Sequence, residues 1–371
     1  MNMKKIMTVF GTRPEAIKMA PLVKELQSNG QFDVKVCVTA QHRQMLDMVL
    51  QLFDIKPDYD LDIMQHGQTI TDITNRVLKG MESVLQQERP DMLLVHGDTT
   101  TTFASALAAF YAKVPVGHVE AGLRSNNKYS PYPEEMNRRI TSSIAELHFA
   151  PTVGNVENLL AENVAKSSIS VTGNTVIDAL LSVVKEDYRF GNELDEIDYN
   201  NKKVVLLTCH RRENWGEPMK SIFRAVKRLV NENEEVEVVF PMHLNPTVRD
   251  IAREILGGDR RIHLIEPLDY EPFANIMGKS YIIMTDSGGI QEEAPALGKP
   301  VIVMRTETER PEAVQAGTVK VAGVEEESVY EAASELINSE LEYLKMARAV
   351  NPYGDGTACQ KINTELLKYF K

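Results

Sequence analysis

Residues 281–300 read YIIMTDSGGIQEEAPALGKP. The run from Tyr281 to Thr285 is apolar and β-branched, the pattern of a buried strand. Ser287-Gly288-Gly289 then turns the chain into a helix that opens at Ile290. Two glycines permit a sharp bend and let backbone N–H groups approach a ligand closely. The first turn of a helix carries unpaired N–H donors and a partial positive charge, which suits a phosphate. Asp286 and Ser287 are in place to cap that helix. Glu292 and Glu293 fall in its first turn, where a carboxylate either favours the dipole or accepts hydrogen bonds from a sugar hydroxyl. A Gly-Gly turn is common on its own, so its reading depends on what stands at the other strand ends.

Working outward, the same strand-then-helix unit repeats. Around this stretch, strands are expected at 204–207, 236–240, 262–265, 301–304 and 318–321, with helices between them. The first half has strands at 6–10, 34–39, 92–96 and 116–119, and short ones near His148 and Ile169. Its helices are expected at 15–27, 42–53, 71–87 and 103–112, with another starting at Pro133. Alternating β and α at this spacing predicts parallel sheets covered on both faces. The stretch 186–202 is polar, acidic and aperiodic, a connection. The chain therefore divides into two doubly wound α/β domains, 1–172 and 173–356, expected to face each other with ligands beyond the carboxyl ends of their strands.

A length of 371 residues fits two domains. The net charge of −12 argues against nucleic acid or an anionic membrane as partner. Any phosphate site must then gather Arg and His locally. The three cysteines, Cys37, Cys209 and Cys359, are far apart and lack metal-ligand spacing, as expected in a reducing compartment. The N-terminal apolar run is too short for a signal peptide and no segment is long enough for a bilayer span, so a cytoplasmic protein is expected.

Several strand ends carry chemistry. Gly11-Thr12-Arg13-Pro14-Glu15, with Lys18 a turn later, follows the first strand. It is not the G-x-G-x-x-G fingerprint, which disfavours a nicotinamide site. Arg13 before Pro14 reads equally as a rigid cationic turn and as a surface arginine at an ordinary helix start. Asp98 follows the strand ending at His96, and Glu120 ends the next one; by itself Asp98 reads as a helix cap. Paired carboxylates at adjacent strand ends suit proton transfer. Glu134 and Arg138 are one helical turn apart and are expected to pair. In the second half, Thr208-Cys209-His210-Arg211-Arg212-Glu213-Asn214-Trp215-Gly216 gathers a histidine, two arginines and the only tryptophan at one strand end. A guanidinium fork matches phosphate oxygens. His243 ends the following strand, Phe273 offers a surface for a base, and Arg310 precedes a late helix. Singly, His243 and Phe273 read as packing. Together these residues imply a nucleotide-linked substrate.

The stretches FGTRPEAIKMAPL, QHRQML, VHGDTTT, HVEAGLRS, SPYPEEMNRR, HRRENWG, DSGGIQEEAPALGKPV and TERPEAV span residues 10–314. Together they resemble the non-hydrolysing UDP-N-acetylglucosamine 2-epimerases of bacteria. The resemblance implies the glycosyltransferase-B architecture, two Rossmann-like domains with a C-terminal helix, here 357–371, returning to the first. It implies reversible interconversion of UDP-N-acetylglucosamine and UDP-N-acetylmannosamine, by elimination of UDP to a 2-acetamidoglucal and re-addition, for cell-surface polysaccharide. No cofactor or metal is implied, and a homodimer is. Asp98, Glu120 and Glu134 fall on the family's catalytic carboxylates and His210 on its histidine. Arg13, Lys18 and Arg138 fall on positions supporting the reacting centre. Arg13 and His210 also fall on substrate contacts. Ser287, Gly288 and Gly289 match the diphosphate turn, Glu293 the ribose contact, Phe273 the uracil neighbour and Arg310 a phosphate contact; His243 lines the nucleotide site. Gln41, His42, Gln44 and Gln68 lie in segments that hold an activating second UDP-N-acetylglucosamine in many members. A family arginine is replaced there by Gly67. Competing readings are a hydrolysing epimerase that releases UDP and free N-acetylmannosamine, a glycosyltransferase of the same fold, and a nucleotide-sugar-binding regulator. The carboxylates and HRRENWG favour the epimerase.

Overall fold

The computed structural model describes residues 3–41 and 43–371. It contains two compact units, Met1–Ser182 with Tyr353–Lys371, and Val183–Pro352. The sequence-based divisions fall at 172/173 and 356/357.

The first unit is built on a seven-stranded sheet: β1 (Lys4–Phe10), β2 (Phe32–Val38), β3 (Tyr59–Asp60), β4 (Met92–His96), β5 (Val116–Val119), β6 (Leu147–Ala150) and β7 (Ile169–Val171). Its order is β3-β2-β1-β4-β5-β6-β7. All pairings are parallel; β1 is interior, beside the central β4, with Ile6 opposite Val34 on one side and Met92 on the other. Strands flanked on both sides and covered on both faces must be apolar throughout, and Ile6, Met7, Val9 and Phe10 are fully buried.

Helices cover the sheet. The helix Ile70–Glu88 is closed at its start by a reciprocal bond pair between Thr69 and Asp72. It buries Ile73, Val77, Met81, Val84 and Leu85 at helical spacing. The C-terminal helix, Ala358–Tyr369, buries Cys359, Ile362 and Leu366 in the core shared with Met19, Leu22 and Leu26. Asp178 holds its start by accepting from the backbone N–H groups of Ala358 (3.2 Å) and Cys359 (2.9 Å). Among the described residues up to Val183, four elements go beyond the sequence-based expectation: β3, the helices Val153–Ala161 and Thr175–Val183, and a 3₁₀ turn Lys166–Ser168.

The second unit has β8 (Lys203–Thr208), β9 (Val236–Pro241), β10 (Ile262–Ile265), β11 (Ile282–Thr285), β12 (Val301–Val303) and β13 (Val319–Val321), in the order β10-β9-β8-β11-β12-β13, again all parallel. Its core joins Val205, Leu207, Phe223, Phe240, Ile282, Met284 and Ile302. In both units the strand order reverses beside the central strand, at β1/β4 and at β8/β11, where α/β sheets bind ligands. No helix among the described residues is long and apolar enough to cross a membrane.

Candidate active site

In the second unit, the ends of β8 and β11 are joined by a bond between the Thr208 and Thr285 hydroxyls, 2.6 Å. Beyond them, Asp286 is fully buried. It does not cap the following helix, as its position before Ser287 suggested. One carboxylate oxygen accepts from the backbone N–H groups of His210 and Arg211, both at 2.8 Å, and from Asn214 Nδ2 at 3.2 Å; the other lies 3.2 Å from His210 Nδ1. Burial alone would raise the Asp286 pKa, but the His210 partner and the two amides outweigh it and hold it below the usual value. The His210 ring stacks on His243 at 5.7 Å. His243 is fixed by an N–H from Asn245, and its pKa is lowered by burial and then by His210. Trp215 Nε1 donates to the His210 carbonyl, 3.3 Å.

The Gly-Gly turn works differently from the sequence expectation. Neither Gly288 nor Gly289 has a positive φ, and Gly289 is right-handed at φ −64°. The helix is short, Ile290–Glu293, followed by a 3₁₀ turn Ala294–Leu297 that ends at Gly298 with φ +66°. What glycine provides here is room. A Cβ on Gly288 would stand 3.9 Å from both Arg211 Nη2 and Glu309 Oε2 and 4.0 Å from the Arg310 guanidinium carbon. The turn thus lies beside two cations, of which Arg211 is paired with the Glu309 carboxylate. Among the described residues, the N–H groups of Gly288 and Gly289 donate no hydrogen bond, whereas that of Ser287 goes to Thr285 Oγ1. Arg310 is tied to Glu292, and its own N–H is accepted by Thr308 Oγ1. The Glu293 carboxylate lies against Gly289. Phe273 is half-buried in the helix Tyr270–Lys279. Tyr270 has a buried hydroxyl without a partner among the described residues, its pKa raised by burial and then by Glu293.

In the first unit, Glu15 is buried and binds the β1 and β4 ends together. It accepts from the N–H groups of Gly11 (3.0 Å) and Thr12 (2.8 Å) and from Thr99 Oγ1 (2.6 Å). Burial raises its pKa against those bonds. Gly11 must be glycine, because a Cβ would lie 1.9 Å from Thr39 Oγ1. Arg13 opens the helix Arg13–Ser28, exposed, with no hydrogen bond or ion pair among the described residues.

Asp98 follows β4 and is gripped by Arg138, whose Nε and Nη2 lie 2.9 and 2.6 Å from one oxygen. The helix cap is Thr99 rather than Asp98. Glu120, one residue past β5, has φ +61°. A glutamate in the left-handed region costs about 1–3 kcal/mol and persists where surrounding structure imposes it. Its carboxylate pairs with Lys18, accepts from Asn174 Nδ2 at 2.9 Å, and has His96 Nε2 at 3.7 Å. Glu134 is half-buried, and its side chain makes no hydrogen bond or ion pair among the described residues. The expected Glu134–Arg138 pair does not form, because Arg138 is turned to Asp98 and to the fully buried Glu135.

In the segments read as an effector site, Gln41 accepts from Thr101 Oγ1, and Gln68 accepts from Arg76 Nη1 at 2.9 Å. Gln44 is exposed on the helix Arg43–Leu52, and His42 lies outside the described residues. Gly67 has φ +71°.

Sequence reasoning named Asp286 only as a helix cap and Glu292 only as a first-turn carboxylate, and it did not single out Asn214, Glu15, Tyr270 or Asn174. All but Tyr270 act through bonds to residues it named or to their immediate neighbours. Among the described residues, no cluster of three His, Cys, Asp or Glu side chains is disposed to hold a metal ion.

Two parallel-sheet Rossmann-like units in one chain, each with its polar side chains gathered at the strand carboxyl ends, define a protein of the glycosyltransferase-B fold. Residues 24–367 match the family described as UDP-N-acetylglucosamine 2-epimerase, and the chain belongs to that family. It is 56% identical over 370 residues to the UDP-N-acetylglucosamine 2-epimerase of Bacillus subtilis, covering 100% of this chain and 97% of that one. It is 53% identical to that of Escherichia coli, with 96% and 97% covered. The crystal structure of the Neisseria meningitidis UDP-GlcNAc 2-epimerase bound to UDP-GlcNAc superimposes with a TM-score of 0.86 at 52% identity, covering 98% of this chain and 100% of that one.

Proposed function

We propose that the chain interconverts UDP-N-acetylglucosamine and UDP-N-acetylmannosamine by eliminating UDP and adding it back. The observation that carries this is the pair of acids at neighbouring strand ends, Asp98 and Glu120, each held by its own cation, Arg138 and Lys18. Inversion at carbon-2 requires a proton to leave one face and another to arrive on the opposite face. A single fixed carboxylate does both poorly; two or three, with Glu134, can divide the work. In the forward sense a carboxylate takes the carbon-2 proton while the bond from carbon-1 to the diphosphate oxygen breaks. This leaves a 2-acetamidoglucal and UDP. Re-addition with protonation on the other face completes an isomerisation that consumes nothing. His210 stabilises or protonates the departing oxygen. Ser287, Gly288, Gly289 and Arg310 hold the diphosphate, Glu293 the ribose, and Phe273 and His243 the base side. Arg13 supports the reacting centre.

The same family likeness supports activation by a second UDP-N-acetylglucosamine at Gln41, Gln44 and Gln68, and a cytoplasmic homodimer. Turnover in heavy water is the direct test. Deuterium should enter carbon-2 of both nucleotide sugars, with traces of UDP and 2-acetamidoglucal on long incubation. Product without solvent deuterium would rule out elimination, and UDP with free N-acetylmannosamine as the sole product would mark a hydrolysing enzyme.

A further inference from the structure

The Asp286 carboxylate is one of the most heavily bonded groups at the end of β11, yet its place before the Gly-Gly turn gives it no capping role. All of its bonds go to one loop, residues 210–214, that follows β8. Three donors converge on Oδ2: the N–H groups of His210 and Arg211 at 2.8 Å each, and Asn214 Nδ2 at 3.2 Å. Asn214 Nδ2 also reaches the Met304 carbonyl, 3.2 Å, so the loop is pinned to the end of β12 as well. With Oδ2 saturated, the carboxylate cannot rotate, and Oδ1, buried and with no aligned hydrogen-bond donor among the described residues, is left at ion-pair distance, 3.2 Å, from His210 Nδ1. Asp286 is fully buried, while the His210 side chain is 40% exposed. One edge of the imidazole therefore faces a fixed anion, and Nε2 is the ring nitrogen left for substrate. The His243 ring, stacked at 5.7 Å, limits tilting.

We propose that Asp286 is the positioning residue of this site: it keeps His210 protonated at Nδ1, so that Nε2 takes the diphosphate proton on re-addition and returns it to the departing oxygen on elimination. The proposal rests on the role given to His210 above and extends it. A carboxylate behind a histidine fixes which tautomer is present and favours the imidazolium formed on accepting a proton. Here the same carboxylate also sets the loop carrying the histidine, so one buried group determines both where the ring is and which nitrogen is available.

Asp286→Asn separates these two duties. Three donors meet at the Oδ2 position, so the amide oxygen must take that side, which preserves the loop. The amide NH₂ then faces His210 Nδ1, which can only accept, and the ring is driven to the Nε2-protonated tautomer. The variant should melt within a few degrees of the parent and bind UDP within about threefold. Its kcat should fall by about 10²- to 10⁴-fold, as expected for a histidine held in the wrong tautomer. The tautomer is read directly from two-bond nitrogen–proton correlations of nitrogen-15 histidine-labelled protein, with His210 assigned by its loss in His210→Gln. The parent should show Nδ1–H, and Asp286→Asn should show Nε2–H. A parent His210 in the neutral Nε2–H form would overturn the proposal even if the variant failed to fold. A folded Asp286→Asn enzyme with kcat within threefold of the parent, beside an inactive His210→Gln, would overturn it while leaving the epimerase reading intact. Full activity in His210→Gln would remove the role on which both rest.

Discussion

Glu134 and Glu135 are adjacent acids with opposite duties. Glu135 is fully buried and accepts from the N–H groups of Ser125 (2.9 Å) and Asn126 (3.2 Å), and it pairs with Arg139 (3.2 Å) and Arg138 (3.3 Å). Its pKa is below the usual value, because these bonds outweigh burial, which acts the other way. Removing one partner of such a buried pair costs about 3–5 kcal/mol. Glu135→Gln should therefore lower stability by roughly that amount, read as a drop in urea midpoint. Glu134 has no such bonds, so Glu134→Gln should keep the midpoint and lose about 10²-fold or more in turnover. Equal loss of stability in both variants would contradict this division. The two were not separable in the sequence. The one-turn rule put Glu134 on Arg138, whereas Arg138 satisfies Asp98, an acid from β4 that no helical spacing reports. The misreading of Asp286 has the same origin. An Asp before a Gly-Gly turn matches a local cap pattern, but its carboxylate goes to the loop after β8, brought alongside only by pairing of β8 with β11.

At the scale of elements, short apolar runs bounded by turns announce strands, so β4, β5 and even the half-buried edge strand β10 were expected at the bounds observed. The two-residue β3 leaves no pattern to find. In the strand–turn–helix at 282–297 the sequence named the right glycines for an incomplete reason. A glycine required by backbone conformation shows a positive φ, as at Gly122 with φ +93°. A Cβ there would also meet the Asn155 carbonyl at 2.3 Å. Gly288 has no positive φ, and a methyl group would meet nothing closer than 3.9 Å in the ligand-free protein. Gly288→Ala should thus leave the melting temperature unchanged, or raise it slightly by restricting the unfolded chain. The methyl would occupy the space beside Arg211 and Arg310 where the diphosphate is proposed to lie. Losing one or two charge-assisted bonds costs about 1.5–3 kcal/mol each, so UDP affinity should fall about tenfold or more by calorimetry. Unchanged UDP affinity in this variant would move the diphosphate away from the turn.

For the whole molecule, the two units carry different titrating groups, and acid should affect them differently. In the first unit, burial lowers His96 to about 4 and His118 to about 3. His118 Nε2–H donates to the Gly97 carbonyl at 2.7 Å, and its Nδ1 is buried without a partner among the described residues, which fits a neutral ring. A histidine whose folded pKa is depressed binds fewer protons folded than unfolded between those two values. Its contribution to stability is therefore lost as pH falls from about 6.5 towards the folded pKa. At pH 5 each ring should cost about 2 kcal/mol, or about 4 kcal/mol together. In the second unit, Asp286 is depressed instead, so its contribution is retained until pH falls below the ordinary carboxylate range and is lost on titration to the folded value. His243 there is lowered by burial and by His210, but it is partly exposed, so water screens the effect. Trp215, the only tryptophan, lies in the second unit and reports its unfolding alone. Between pH 7 and 5 the tryptophan transition in urea should shift little. Amide exchange in β4 and β5 should accelerate by the equivalent of several kcal/mol. His118→Gln keeps a donor for the Gly97 carbonyl but cannot titrate, so about 2 kcal/mol of that acid sensitivity at pH 5 should disappear, while His148, also lowered by burial, keeps its share. An unchanged pH slope in His118→Gln would show that His118 is not the buried neutral base described, and a tryptophan transition falling in step with β4 exchange would show that the units do not unfold separately.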